Sequence, residues 1–290
     1  MKRLLLTLSL LLVWLAALQA QQPDGLANRQ PNEVPNGLAH DLAHDLAHDT
    51  TRYVSRATMY GIGYTNVFDT YLSPQEYKGV EARIVRENNR MTRLLQGRVM
   101  RQSLFQAYAG YTHNRVDNNN TFSSMANWNL AYHYLFHLSP RLTLTAGAAA
   151  DLNGGFIYNL RNGNNPAQAR AYVSVDATGM AIYKTHIRRL PITLRYQLTI
   201  PLMGLQFMPP YGASYYEIFS LGHTSGILHF TSLHNQPAVR QFLTADLPIG
   251  RTTLRLGYMA DLQQGKLNHI KWHNYAHTFL VGFVKNFYLL

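Results

Sequence analysis

Ser232 and His234 stand two residues apart in Ser232-Leu233-His234-Asn235, and in an extended chain that spacing puts a hydroxyl and an imidazole on one face. Such a pair is the start of nucleophilic catalysis, with His234 able to take the Ser232 proton. Asn235, or the loop acid Glu217, could orient the ring. His229 and Thr231 repeat the spacing in the opposite phase. The plainer alternative is that these are ordinary polar residues at a strand rim, because spacing of two is common by chance.

His223, His229, His234, His269, His273 and His277 fall in or beside the later loops, where a divalent-cation site is conceivable. No carboxylate cluster accompanies them at fixed spacing, and cysteine is absent, so neither a metal nor another cofactor is expected. A second histidine array lies in the repeat LAHD-LAHD-LAHD, Leu38 to Asp49. A helix there would align His40, His44 and His48, but nothing nearby supplies a preformed site, and a repeat expansion in a solvated tail is the better explanation.

The elements that must position these groups read as strands. Ile192 to Leu202 alternates without a break: Ile192, Leu194, Tyr196, Leu198, Ile200 and Leu202 suit hydrocarbon, and Thr193, Arg195, Gln197 and Thr199 suit a polar interior. The pattern recurs over Tyr53–Phe68, Tyr77–Glu87, Arg98–Thr112, Asn127–Leu138, Leu142–Leu152, Ala171–Lys184, Val239–Ile249, Thr253–Leu262 and Tyr275–Tyr288. Asn88-Asn89-Arg90 reads as a tight turn, Asn153 to Gln168 as a long loop, and Phe207 to Asn235 as a long aromatic loop with room for one more hairpin.

Ahead of the strands, Lys2-Arg3 and the apolar run Leu4 to Leu18 read as an export signal over residues 1–20, followed by a polar tail over 21–52 and the barrel over 53–290. Export behind such a signal, no further apolar helix and recurrent alternation together predict an all-β transmembrane antiparallel up-and-down β-barrel. About ten strands are expected, with twelve as the alternative, joined by turns at one end and longer loops at the other. The bacterial outer membrane is the expected location. Inward positions include Glu81, Arg83, Asp176, Arg195, Arg240, Asp246, Arg255 and Asp261, of both signs, which predicts a paired polar network and a filled or narrow lumen.

The chain has 290 residues and a net charge of +11. Basic turns and lumen arginines account for that charge, or it attracts an anionic partner such as lipopolysaccharide; nucleic acid is not expected in that compartment. Outer-membrane lipid is the expected solvent of the apolar face.

The run SLHNQPAVRQFLTADLPIGRTTLRLGYMADL, Ser232 to Leu262, with HTFLVGFVKNF, His277 to Phe287, resembles a family of outer-membrane β-barrels of unknown function found in Bacteroidota-type bacteria. The resemblance implies an exported barrel with no assigned activity, so no site residue carries over. The aromatic C-terminal strand also resembles the signal read by barrel-insertion machinery. Three functions follow. The first is a non-enzymatic barrel whose loops bind an envelope partner or surface ligand. The second is a lipid-directed hydrolase using Ser232 and His234, although hydrolase barrels place His before Ser. The third is a narrow specific channel.

Overall fold

The computed structural model describes residues 53–288 except positions 164, 189 and 251. The export signal and the LAHD repeat lie outside the described residues. The strands are β1 (Tyr53–Asp69), β2 (Ser73–Met91), β3 (Val99–Asn114), β4 (Asn120–His137), β5 (Leu142–Asn159), β6 (Ala167–Ile187), β7 (Leu190–Phe207), β8 (Leu228–Ser232), β9 (Val239–Ile249), β10 (Thr252–Leu267) and β11 (Ile270–Tyr288). A short helix, α1 (Tyr215–Phe219), lies in the connection between β7 and β8.

Each strand pairs antiparallel with its neighbour, and β1 pairs with β11 from Tyr53↔Tyr288 to Asp69↔Trp272, so the sheet closes on itself. Ten strands form the wall, while β8 covers only the outer end of β7. Closure satisfies backbone groups that an open edge would leave exposed. The strands overshoot the roughly 9–11 residues that cross hydrocarbon: β6 has 21 residues and β2 has 19.

The two faces are inverted relative to a water-soluble domain. Tyr60, Ile62, Val80, Trp128, Val175, Leu205, Phe279 and Val281 are exposed on the outside. Arginines, glutamines and carboxylates are buried within. Such an apolar band costs least against lipid tails.

Several expectations are corrected. Asn88-Asn89-Arg90 is not a turn but part of β2, which pairs with β3 as far as Met91↔Met100. Asn153 to Gln168 is not one long loop, because β5 runs to Asn159 and β6 starts at Ala167. Turn-forming residues are held extended there by a partner ladder on each side. Loops are accordingly short at both ends, except the connection from β7 to β9. That segment contributes the single short strand β8 rather than a wall-forming hairpin, so twelve strands are excluded.

The alternation of β7 also changes phase. The β6–β7 ladder shifts register between Val175 and Asp176, passing from Val175↔Met203 to Asp176↔Pro201. Leu202 and Met203 therefore both face outward, at 41% and 53% exposure. This bulge keeps two consecutive apolar residues in the apolar band.

At Gly282, by contrast, the inner face admits no side chain: a Cβ would lie 2.0 Å from the Thr58 carbonyl oxygen and 2.6 Å from Met59 Cα. Gly282→Ala should destabilise the barrel by about 1–3 kcal/mol, read as a lower urea midpoint in a heat-modification gel assay.

Candidate functional site

The lumen is filled in layers. Toward the end where β6 leads into β7 and β9 into β10, the Glu87 carboxylate accepts from Arg195 Nη2 at 2.5 Å, from Gln102 Nε2 at 2.6 Å, and from Arg255 Nη1. Arg255 also binds Asp246 bidentately, Nε to Oδ1 at 2.5 Å and Nη2 to Oδ2 at 2.6 Å. These groups come from β2, β3, β7, β9 and β10, so the network spans the barrel. Gln102 continues it to His133, whose Nε2 lies 3.1 Å away.

The next layer centres on Arg83, which donates to Glu81 at 2.9 Å and Gln106 at 2.6 Å, reaches Asp261 at 3.3 Å and lies over the Tyr108 ring. Arg240 reaches Asp151 and Asp261 at 3.3 and 3.5 Å. Asp151 accepts from Asn127 and Asn129, while Asp176 accepts from Ser174 at 2.6 Å and faces Asn129 at 3.4 Å. All eight lumen residues expected from the strand phase thus occur in these two layers. Met59, Val85, Leu104, Phe242, Met259, Leu280 and Val284 add an apolar cluster, which a polar-lumen reading misses although all occupy inward phase positions.

The third layer was not legible from the sequence. Arg170 donates to Asp69 at 2.8 Å and stacks on Trp272 at 4.0 Å. Above it Met208 is fully buried among Val67, Tyr71, Leu72, Ile157, Leu267 and Ile270, which come from widely separated strand ends. Met208 opens the β7–β8 connection, so that segment closes the mouth. Its helix α1 is anchored by Ile218, by the Tyr215 hydroxyl, which donates to Gln168 at 3.1 Å and accepts from Ala169 N at 2.6 Å, and by the Ser214–Glu217 capping box. Burial pushes the Tyr215 phenol up to about 12, and the Ser214 backbone N–H, donating at 2.7 Å, holds the Glu217 carboxyl below its ordinary range. Tyr211, Tyr216, Phe219 and Leu221 of the same connection remain exposed.

The structure brings Ser232 and His234 into contact, Oγ to Nδ1 at 2.5 Å, in the turn that follows β8. Asn235 does not orient the ring: its Oδ1 accepts from Ser232 N at 2.8 Å, and its Nδ2 donates to Phe230 O at 2.9 Å. Glu217 is engaged with Ser214 instead. The loop histidines do not converge: His229 Nε2 faces backbone carbonyls, His277 pairs with the Tyr258 hydroxyl, and His273 stacks on Tyr275. Among the described residues no three metal-ligating side chains come together.

The molecule is therefore a closed antiparallel β-barrel with an apolar exterior and an occluded lumen. It belongs to the family described as protein of unknown function (DUF3316), whose model matches residues 4–290. Among curated proteins, none matches the chain in sequence. Solved structures of similar shape include the outer membrane protease OmpT from Escherichia coli, at 9% identity and a TM-score of 0.48, covering 82% of this chain and 98% of that one. The transport unit of the Escherichia coli autotransporter AIDA-I has 6% identity and a TM-score of 0.46, covering 89% of this chain and 100% of that one. An outer membrane channel from Pseudomonas putida has 12% identity and a TM-score of 0.34, covering 81% and 95%. At such distances these similarities carry no functional argument.

Removing one partner from a buried ion pair is costlier than removing both. Glu87→Gln should destabilise the barrel by about 3–5 kcal/mol in urea unfolding, and replacing Glu87 with Leu and Arg195 with Met together should cost less than the single change.

Proposed function

We propose that the protein is an outer-membrane barrel closed to bulk solutes, which acts at its loop end by binding an envelope partner or a surface ligand. The filled lumen carries this reading, because among the described residues buried ion-pair layers and the Met208 plug occupy it in succession. Support also comes from the β7–β8 connection, whose buried residues fix it while Tyr211, Tyr216 and Phe219 remain exposed, Phe219 stacked on Phe207 and Tyr215. Aromatic side chains on a rigid support suit protein recognition. In this reading outer-membrane lipid and lipopolysaccharide surround the apolar band, insertion machinery recognises β11, and the envelope is of the Bacteroidota type.

The test is a photo-crosslinking residue at position 216 in cells at native expression. A discrete protein adduct, reduced at least about tenfold by Phe219→Ser, is expected. Lipid adducts alone would overturn the reading. Folded protein should also be silent in planar bilayers, and stepwise conductance would favour the channel.

The 2.5 Å Ser232–His234 contact supports a second reading, a lipid-directed hydrolase. Nothing among the described residues orients the imidazole from behind, which counts against it. Ser232→Ala and His234→Ala should leave outer-membrane lipid turnover unchanged; loss of turnover in both, with folded barrels, would promote the hydrolase.

A further inference from the structure

The wall is interrupted where β7 changes partner. Its ladder with β9 ends at Thr199↔Arg240, and its ladder with β8 begins at Met203↔Ser232. Between them Ile200, Pro201 and Leu202 have no paired residue on that side, and Pro201 has no N–H to offer one. The chain between β8 and β9 leaves the sheet plane in a turn closed by the Gln236 N–H on Ser232 O at 2.8 Å.

Directly behind this seam lies a cavity of about 20 Å³. Pro201, Gln236 and Ala238 line its wall side, and Asp151, Asp176 and Arg240 its lumen side. It holds a group about the size of one water. In the surrounding layer, among the described residues, the carboxylates of Glu81, Asp151, Asp176 and Asp261 stand against the guanidiniums of Arg83 and Arg240, a formal excess of two negative charges. Both arginines are already engaged elsewhere, and Asp176 has no ion-pair partner among the described residues. A second, independent feature is Gln236, 4% exposed, whose Oε1 is buried without a hydrogen-bond partner. A carboxylate whose donors, Ser174 and Asn129, are neutral and an orphaned amide oxygen thus meet on one small cavity, beside the Arg240 guanidinium that pairs with Asp151 and Asp261.

We propose that this cavity is a binding site for a primary ammonium group, entered through the wall at the β7–β9 seam. The ammonium donates to Asp176 and to Gln236 Oε1, and its positive charge offsets part of the carboxylate excess. The cavity volume admits –NH3+ and excludes a trimethylated nitrogen. The outer side of the seam is apolar: Leu202, Met203 and Leu233 are exposed there. A hydrocarbon tail on the amine would lie against them, in the membrane setting proposed above. The absence of a converging metal-ligand set among the described residues separates this from a transition-metal site.

The test uses the full-length folded barrel in a non-ionic detergent free of lipid. Methylammonium chloride should raise the heat-modification midpoint more than tetramethylammonium chloride at equal concentration. Asp176→Asn should abolish that difference, and Gln236→Ala should weaken the apparent affinity about tenfold with the barrel intact. Native mass spectrometry with phosphatidylethanolamine and its N-trimethyl counterpart then identifies the source. Selective retention of the primary amine lipid, lost in Asp176→Asn, assigns a lipid headgroup. A response to methylammonium without lipid retention assigns a free amine. Equal midpoints in the two salts for the wild type, or a difference that survives in Asp176→Asn, overturns the proposal. Should Asp176→Asn fail to fold, the wild-type salt comparison and Gln236→Ala still decide.

Discussion

Pairing of β1 with β11 is the constraint from which the rest follows. Once the ends of the sheet meet, the backbone of the wall pairs within the wall except on one side of Ile200, Pro201 and Leu202, and each strand must show one face outward and one inward. The outward face can then be continuously apolar, while the inward face must find internal partners for everything polar it carries. A ring of ten strands is narrow enough for side chains from opposite walls to touch. Glu87 of β2 and Arg195 of β7 meet at 2.5 Å across this space.

That geometry changes what the buried charges do. A carboxylate on a flat, solvated sheet would keep its water; here it loses that water to neighbouring side chains and must be compensated by arginine or amide donors. Two layers manage this with near balance: Glu87 and Asp246 against Arg195 and Arg255, and Asp69 against Arg170. The central layer does not, and it lies against the interruption of the wall. Polar surplus and wall defect therefore coincide at one place, whereas the mouth is sealed by apolar packing around Met208.

The connection from β7 to β9 concentrates the features that distinguish this barrel. It supplies the plug, α1, the exposed aromatic residues, the partial strand β8 and the turn that brings Ser232 to His234. Its residues are held by the mouth rather than by a long ladder, so its conformation depends on contacts with β1, β5, β10 and β11.

Residues whose type repeats with period two were legible from the chain alone. The phase of Ile192 to Thr199 and its counterparts gave the face of each lumen residue, and the sequence thereby determined a barrel with a charged interior, because alternation is a local consequence of extended backbone. Strand ends were not legible: Asn88, Asn89 and Gly154 favour turns by themselves, and only neighbouring strands hold them extended. Which inward charges pair was likewise decided by tertiary structure, since Arg195 and Glu87 are 108 residues apart and meet only through closure. The same holds for the Met208 plug, the phase change at Leu202 and the seam beside Gln236, each of which depends on register between strands, a property that no single strand encodes.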